Sequence, residues 1–457
     1  MLAVMRTMLL RWAGRAEIDR AVMLGLLSRM WSLIAGPISL VLIGLYFSPQ
    51  VQGYYYVFFT LLALQVFVEL GIGAVIQQFA SHEWAKLKRT DSGQVVGCSV
   101  ALDRLTSIAF VGVKWFGVGG LIASVGLSIG GYLFLASSPD VGVSWQAPWL
   151  TLATLTGVVI FMQFFWSILE GCNQVISLYK YRFYQGILSQ SLGWVAMVLG
   201  AGIWVPVIVT SVTILCSLYY LGRFYRTFLG AVFKNTNNSL ESGIWLREML
   251  PFQWRVALSW ISGYLCFSLF VPVLFKFHGA EVAGQMGMTW SLIAVVGSIA
   301  SAWLAPHLPQ FAIAVAQKDY RQLDHLFWRV TRATVLVACV VAVAIFLFVV
   351  GLNSIDTPLS NKLSQRLFSP TVVTIFLIAQ LLQVLSTPFS SYMRAHKQEP
   401  IMFLSILASF LISSSTILLG KQYAGVGVAS GYLVAHLIVI PLVIYVWYQR
   451  RRAWMAA

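Results

Sequence analysis

The chain is poor in charge. Only 10% of its residues are Asp, Glu, Lys or Arg, against 59% hydrophobic ones, a composition that excludes an ordinary soluble domain. Acidic residues are the scarcer sign, 15 against 30 basic, and the formal net charge is +15. The basic residues come in short clusters between long apolar runs, which is the signature of cytoplasmic loops rather than of a nucleic-acid surface. The five cysteines (Cys98, Cys172, Cys216, Cys266 and Cys339) are scattered, with no CxxC pair and no neighbouring histidine. They read as small buried hydrophobes and give neither a disulfide framework nor a metal site. No Walker motif, Gly-rich phosphate loop or HExxH is present, so neither a cofactor nor ATP-driven transport by this chain alone is expected. A regularly spaced arginine run of the voltage-sensor kind is also missing.

What the chain has instead is hydrophobic length. A span needs about 20 apolar residues, and twelve runs qualify, at roughly 22–46, 54–80, 106–136, 148–169, 183–202, 204–222, 256–277, 283–308, 333–352, 370–392, 400–420 and 426–448. The connections sort by charge. On one side lie 24 Lys and Arg; on the other are only Lys276, Lys362, Arg366 and Lys421, with Arg29 and Lys114 inside spans. That asymmetry places both termini in the cytoplasm. The third span, Gly117 to Gly131 in particular, admits a different break, but a miscount there would reverse the later charge bias. The first 20 residues mix Arg6, Arg11 and Arg15 with apolar positions and lack a cleavage site. They read as an amphipathic helix on the cytoplasmic face rather than a signal peptide.

Laid on itself at an offset of 231, the chain aligns its apolar runs without gaps, with Val51-Gln52-Gly53 on Val282-Ala283-Gly284. This reads as two parallel six-helix halves, 21–226 and 251–449, joined by a polar cytoplasmic linker, 227–250, and followed by a basic tail, 450–457. Pro37 and Pro272 fall in the first span of each half. Proline removes a backbone hydrogen bond, so both are candidate hinges, though packing kinks have the same cause.

The segment from Phe47 to Lys88 carries a family resemblance. Its Gln52-Gly53-Tyr54-Tyr55-Tyr56-Val57-Phe58, followed by Glu69-Leu70-Gly71-Ile72-Gly73, resembles the second transmembrane helix of the polysaccharide transporters, the Wzx-type flippases of the multidrug/oligosaccharidyl-lipid/polysaccharide (MOP) exporter superfamily. The resemblance implies an all-α polytopic membrane protein of about twelve helices with a MATE-like fold. It implies a place in the bacterial inner membrane and a polyprenyl-pyrophosphate-linked oligosaccharide as substrate, with polysaccharide polymerase machinery as a further partner. The acidic residue that drug and cation antiporters of the superfamily commonly carry in the first span is missing.

Ionisable groups inside spans are functional candidates by default. Arg29 and Arg255 hold matching places in the two halves, and guanidinium suits bidentate capture of phosphate oxygens. Each can equally serve as a snorkelling or positive-inside charge. Lys114 either joins them in a cationic cavity or snorkels. Glu69 and His307 are candidates for a coupling proton or an ion pair, and His436 could titrate near neutral pH or serve as packing. Trp260, Tyr264 and Trp290 can offer sugar-stacking faces or belong to the interfacial aromatic belt. Together with the resemblance, which implies the substrate, the residues are read as those of a flippase for lipid-linked oligosaccharide, working by alternating access and not as an enzyme. A drug or cation exporter of the same fold and an integral-membrane glycan polymerase or ligase are the alternatives.

Overall fold

The computed structural model describes residues 34–90, 92–138, 142–233, 267–396 and 400–456, with isolated positions of the first and seventh spans. The expected N-terminal amphipathic helix, Arg29, Arg255, Trp260 and all but the first residues of the expected linker lie outside the described residues.

Among the described residues the regular structure is helical apart from one two-stranded hairpin. Its elements are α1 (Ile34–Tyr46), α2 (Pro49–Glu69), α3 (Ile72–Trp84), β1 (Leu87–Arg89), β2 (Val95–Gly97), α4 (Ser99–Ala136), α5 (Gln146–Gly171), α6 (Val175–Val198) and α7 (Gly202–Phe233). Then follow α8 (Phe270–Leu304), α9 (Leu308–Ala316), α10 (Tyr320–Ser354), α11 (Pro358–Ser364), α12 (Pro370–Ala395) and α13 (Met402–Ala456). Among the described residues, eight helices are long and apolar enough to cross a membrane. One of the eight is Phe270–Ala316, broken at Gly279 (φ 86°), and another is Met402–Met455, broken at Tyr423 and Ala424 (φ 47° at Ala424). Both breaks fall where the hydropathy separates two runs and bring the count to ten; the first expected span, described here as the shorter α1, and the fifth, which is α6, stand outside the eight.

The breaks have local causes. The run expected as one span at 54–80 starts earlier, at Pro49, and is interrupted after Glu69, where Leu70 (φ 45°) and Gly71 (φ 70°) are both left-handed. A leucine tolerates that region poorly, so surrounding packing must hold it. The third span is continuous. It absorbs its irregularity as a π-helical stretch, Leu127–Gly131, where the buried Trp149 indole donates to the Leu127 carbonyl at 3.2 Å. A wide turn frees a carbonyl for such a partner. Pro272 sits in the first turn of α8, just after non-helical Ser268 and Leu269, the positions its missing donor and ring disfavour. Pro37 lies within α1. The helix ending in Phe233 continues past 227, the expected start of the linker.

The chain divides into two compact units. The first comprises 1–46, 62–136 and 144–261; the second comprises 47–61, 137–143 and 262–457. In lipid no hydrophobic force drives helices together, so close packing and interhelical hydrogen bonds must do it. The first unit shows both. Gly120 of α4 and Gly157 of α5 face each other so closely that a Cβ on either would come 2.6 Å from the other's carbonyl oxygen. Along α6, Ser177, Tyr181 and Gln185 recur every fourth residue and meet Tyr220, Ser217 and Thr213 of α7 at 2.7, 2.7 and 2.9 Å. The β1–β2 hairpin is clamped by Arg89, which donates to the Gln174 Oε1 (3.0 Å) and the Phe224 carbonyl (2.9 Å) and lies 4.6 Å over the Tyr225 ring. Cys98, at the start of α4, is exposed, contrary to its expected burial, because it closes the hairpin rather than entering the span.

The second unit holds α2 through glycine. Gly53 lies against the Ala280 backbone, and a Cβ on Gly284 would sit 2.9 Å from the Gly53 nitrogen. Gln52 donates to the Gly284 carbonyl at 2.9 Å, and buried Arg366 donates to the Phe47 carbonyl. The last turns of α13 are latched: Arg451 pairs with Asp324, the Tyr392 hydroxyl donates to the same carboxylate at 3.2 Å, and the His396 and Trp454 rings stack at 3.8 Å. Burial holds the His396 imidazole below the usual histidine range, outweighing its hydrogen bond to the Tyr392 carbonyl. The latch therefore favours neutral histidine. Its full contribution is present above pH about 6.5 and is lost as the pH falls through the depressed folded value. Lowering the pH from 7.5 to 5.5 will reduce the thermal midpoint of the purified chain, and His396→Gln will flatten that dependence.

Candidate functional site

A cavity of about 450 Å³ lies in the second unit among α8, α10 and α12. Trp290 of α8 forms one wall. Its ring stacks on Phe267 (6.0 Å, 21°) and meets Phe270 and Tyr432 at near right angles at 5.0 and 5.5 Å, so three aromatics hold it in place. Gln380, Gln383 and Thr387 supply the opposite polarity from one stripe of α12. The Tyr432 hydroxyl lies 2.9 Å from the Gln383 Oε1 and 3.2 Å from the Gln380 Oε1, sharing its single proton between them. Each amide carbonyl thereby accepts from the hydroxyl, and the two NH₂ groups supply the donors of this stripe. Gly297 makes the room: a Cβ there would come 2.6 Å from the Gln380 Nε2.

Ser298 and Thr334 line the same space, and their hydroxyl protons go to the Ala294 and Val330 carbonyls at 3.0 and 2.8 Å. Their lone pairs remain as acceptors. Among the described residues, the lining contains no Asp, Glu, Lys, Arg or His. An aromatic face, amide donors and hydroxyl acceptors without charge form a surface suited to a neutral polyol. Such a ligand has hydroxyls on its edges and C–H groups on its faces.

Of the residues singled out from sequence, Trp290 lines this cavity. Tyr264 does not; its hydroxyl reaches the Thr60 carbonyl at 3.5 Å. His307 lies one turn beyond Leu304 of the lining, half-buried, with Nδ1 3.1 Å from the Trp303 carbonyl. His436 is buried behind Tyr432, whose carbonyl it meets at 2.8 Å. Lys114 is exposed on α4 in the first unit, and Glu69 ends α2, also in the first unit. The Glu69 Oε1 is buried with no hydrogen-bond partner among the described residues, an arrangement that suits a carboxyl exchanging a proton or meeting a cation. The described residues hold no group of three His, Cys, Asp or Glu able to bind a metal. Gln380, Gln383 and Thr387 were not singled out from sequence. Their signal is there to be read, as polar residues at i, i+3 and i+7 in an otherwise apolar span.

The sequence matches no family model, and no curated protein matches it. Solved structures do. The chain is similar to an inward-facing multidrug-resistance MATE family transporter of the MOP superfamily, at 14% identity and a TM-score of 0.61 over 94% of this chain and 96% of that one. It is similar to the lipid II flippase MurJ in an inward closed conformation, at 12% identity and a TM-score of 0.66 over 93% and 87%. The chain has the MOP-exporter fold. A eukaryotic MATE transporter gives the same answer, at 13% identity and a TM-score of 0.60 over 96% and 98%. These identities establish the MOP fold alone, and the chemistry must be argued from this chain's own residues.

Proposed function

We propose that this chain is a flippase that moves a polyprenyl-pyrophosphate-linked oligosaccharide across the bacterial inner membrane by alternating access, with both termini cytoplasmic. The observation that supports the reading is the cavity of Trp290, Gln380 and Gln383, whose described lining carries no charged side chain. Two known proteins of this fold bracket the choice: one bears the name of a lipid II flippase, others of multidrug transporters. A drug cation would call for a carboxylate in the cavity, because burying an unpaired charge costs several kcal/mol; sugar hydroxyls call for what is there. The pyrophosphate needs cations, and Arg29, Arg255 and Lys114 are the proposed set. Glu69, with its unpartnered buried oxygen, and His307 are the proposed coupling groups, and Pro37 and Pro272 the proposed hinges.

The experiment follows the lipid. In cells lacking this gene but retaining the glycosyltransferases, complete lipid-linked units should accumulate on the cytoplasmic leaflet and be cleared by the wild-type gene. Gln383→Leu keeps the side-chain size but removes a donor, so outward movement should fall about tenfold, the effect of one hydrogen bond of about 1.4 kcal/mol. Units that reach the outer leaflet yet stay unpolymerised would transfer the assignment to a polymerase. An unaltered glycan pool would leave the drug exporter.

A further inference from the structure

A second cavity, of about 280 Å³, opens between α9 and the start of α10. The two helices are joined by a tight turn, Gln317 to Asp319, with Lys318 left-handed at φ 55°. Gln310 and Gln317 enter the cavity from one side and Gln322, His325 and Arg329 from the other. Those positions follow i, i+7 and i, i+3, i+7, so each set is a single stripe and the two stripes converge. Every one of these five side chains can donate a hydrogen bond, and among the described residues no carboxylate lines the space. The two nearby acids are engaged elsewhere: Asp319 caps α10 by accepting from the Gln322 nitrogen at 2.9 Å, and Asp324 pairs with Arg451. None of the five side chains has a hydrogen-bond or ion-pair partner among the described residues.

The depth of the cavity follows from helix length. Helix α10 has 35 residues, about 52 Å at 1.5 Å per residue, where the hydrocarbon needs only about 30 Å. The surplus is at its N-terminal end, because Arg321, Arg329 and Arg332 stand there while Ala333–Ser354 carries no charge. Exposed Trp328 stands beside Arg329, as an aromatic does at the water boundary. The cleft is therefore level with the lipid headgroups. On the positive-inside reading, this is the cytoplasmic leaflet.

We infer that this cleft binds the phosphate of an anionic lipid headgroup, with Arg329 as the bidentate charge partner and His325, Gln317 and Gln322 as further donors around it. Guanidinium meets phosphate through two parallel bonds, and amides satisfy the remaining oxygens. A basic pocket among helices at the membrane surface has the chemistry of a headgroup site. The inference is independent of the transported substrate and concerns a resident lipid that holds the α9–α10 turn in place.

The test uses the purified full-length chain, delipidated in neutral detergent and titrated with mixed micelles. Phosphatidylglycerol should raise the thermal midpoint and be retained in native mass spectra, whereas phosphatidylcholine should do neither at equal concentration. Arg329→Gln should weaken phosphatidylglycerol binding about tenfold, the loss of one charged hydrogen-bond pair. Gln317→Leu, which leaves every charge in place, should weaken it severalfold. Arg321→Gln removes the same charge from the same helix end outside the cleft and should change nothing. Equal losses for Arg321→Gln and Arg329→Gln, or no loss for either, would overturn the site. Inorganic phosphate matching the lipid's effect would overturn the lipid assignment.

Discussion

Gly53→Val will reduce the amount of folded protein by more than tenfold. A Cβ at position 53 would lie 1.9 Å from the Ala280 carbonyl oxygen, a backbone atom, so no rotamer change relieves the overlap. The helices must separate, which forfeits the Gln52 to Gly284 hydrogen bond and the contact of Gly287 with Tyr56. Overpacking of this kind costs about 1–3 kcal/mol even where side chains can shift. Here they cannot, and the upper end or more is expected. Gly53→Ala should show the same defect in weaker form. Gly126→Ala is the contrast: its Cβ would meet nothing within 4 Å, and removing a helix glycine should leave the thermal midpoint unchanged or raise it. Fluorescence-detected size exclusion of the three variants at matched expression checks the order. A Gly53→Val protein as abundant and stable as wild type would contradict the packing described.

On the proposed flippase function, Trp290→Leu will cut export of lipid-linked glycan by tenfold or more, whereas Trp290→Phe will retain an intermediate rate. The indole lines the cavity, stacks on Phe267 and meets the Phe270 and Tyr432 rings at near right angles. Leucine replaces the apolar volume in part but has no π-face on which a sugar ring can lie; phenylalanine keeps a smaller one. Truncating a packed tryptophan also costs about 3–5 kcal/mol in a core, so transport must be normalised to folded protein. The informative quantity is the ratio between the leucine and phenylalanine variants. If both export equally well, Trp290 is a packing residue and the cavity does not hold the sugar.

The fold was largely legible because its dominant signal is hydropathic length, which the membrane imposes on every span. Even the short turns at Gly279 and at Tyr423–Ala424 coincide with dips in that signal. The break at Leu70 was not legible. Leucine carries no sign of a left-handed backbone, and only neighbouring Gly71 hints at one. Nor was the π-helical stretch at Leu127–Gly131, which exists for the sake of a tryptophan on the next helix. The site divides along the same line. Charges attract notice in an apolar run, so Lys114, Glu69 and His307 stood out, and none of them lines the cavity. Glutamine and threonine pass for tolerated polar residues until their helical spacing is counted. Arg29 and Arg255 remain proposals, because they lie outside the described residues.

The evenly spaced rungs between α6 and α7 raise a question of register. A ladder that repeats every four residues almost matches itself after a slip of one helical turn, about 5.4 Å. In the slipped pairing Ser177 would face Ser217 and Tyr181 would face Thr213, both acceptable partners. Gln185, however, would be placed against Val209, and Tyr220 would lose Ser177. One amide thus does for this helix pair what a single buried asparagine does for a coiled coil, rejecting a near-degenerate alignment that the other rungs would accept. Gln185→Leu should then leave the pair intact but free to adopt two registers.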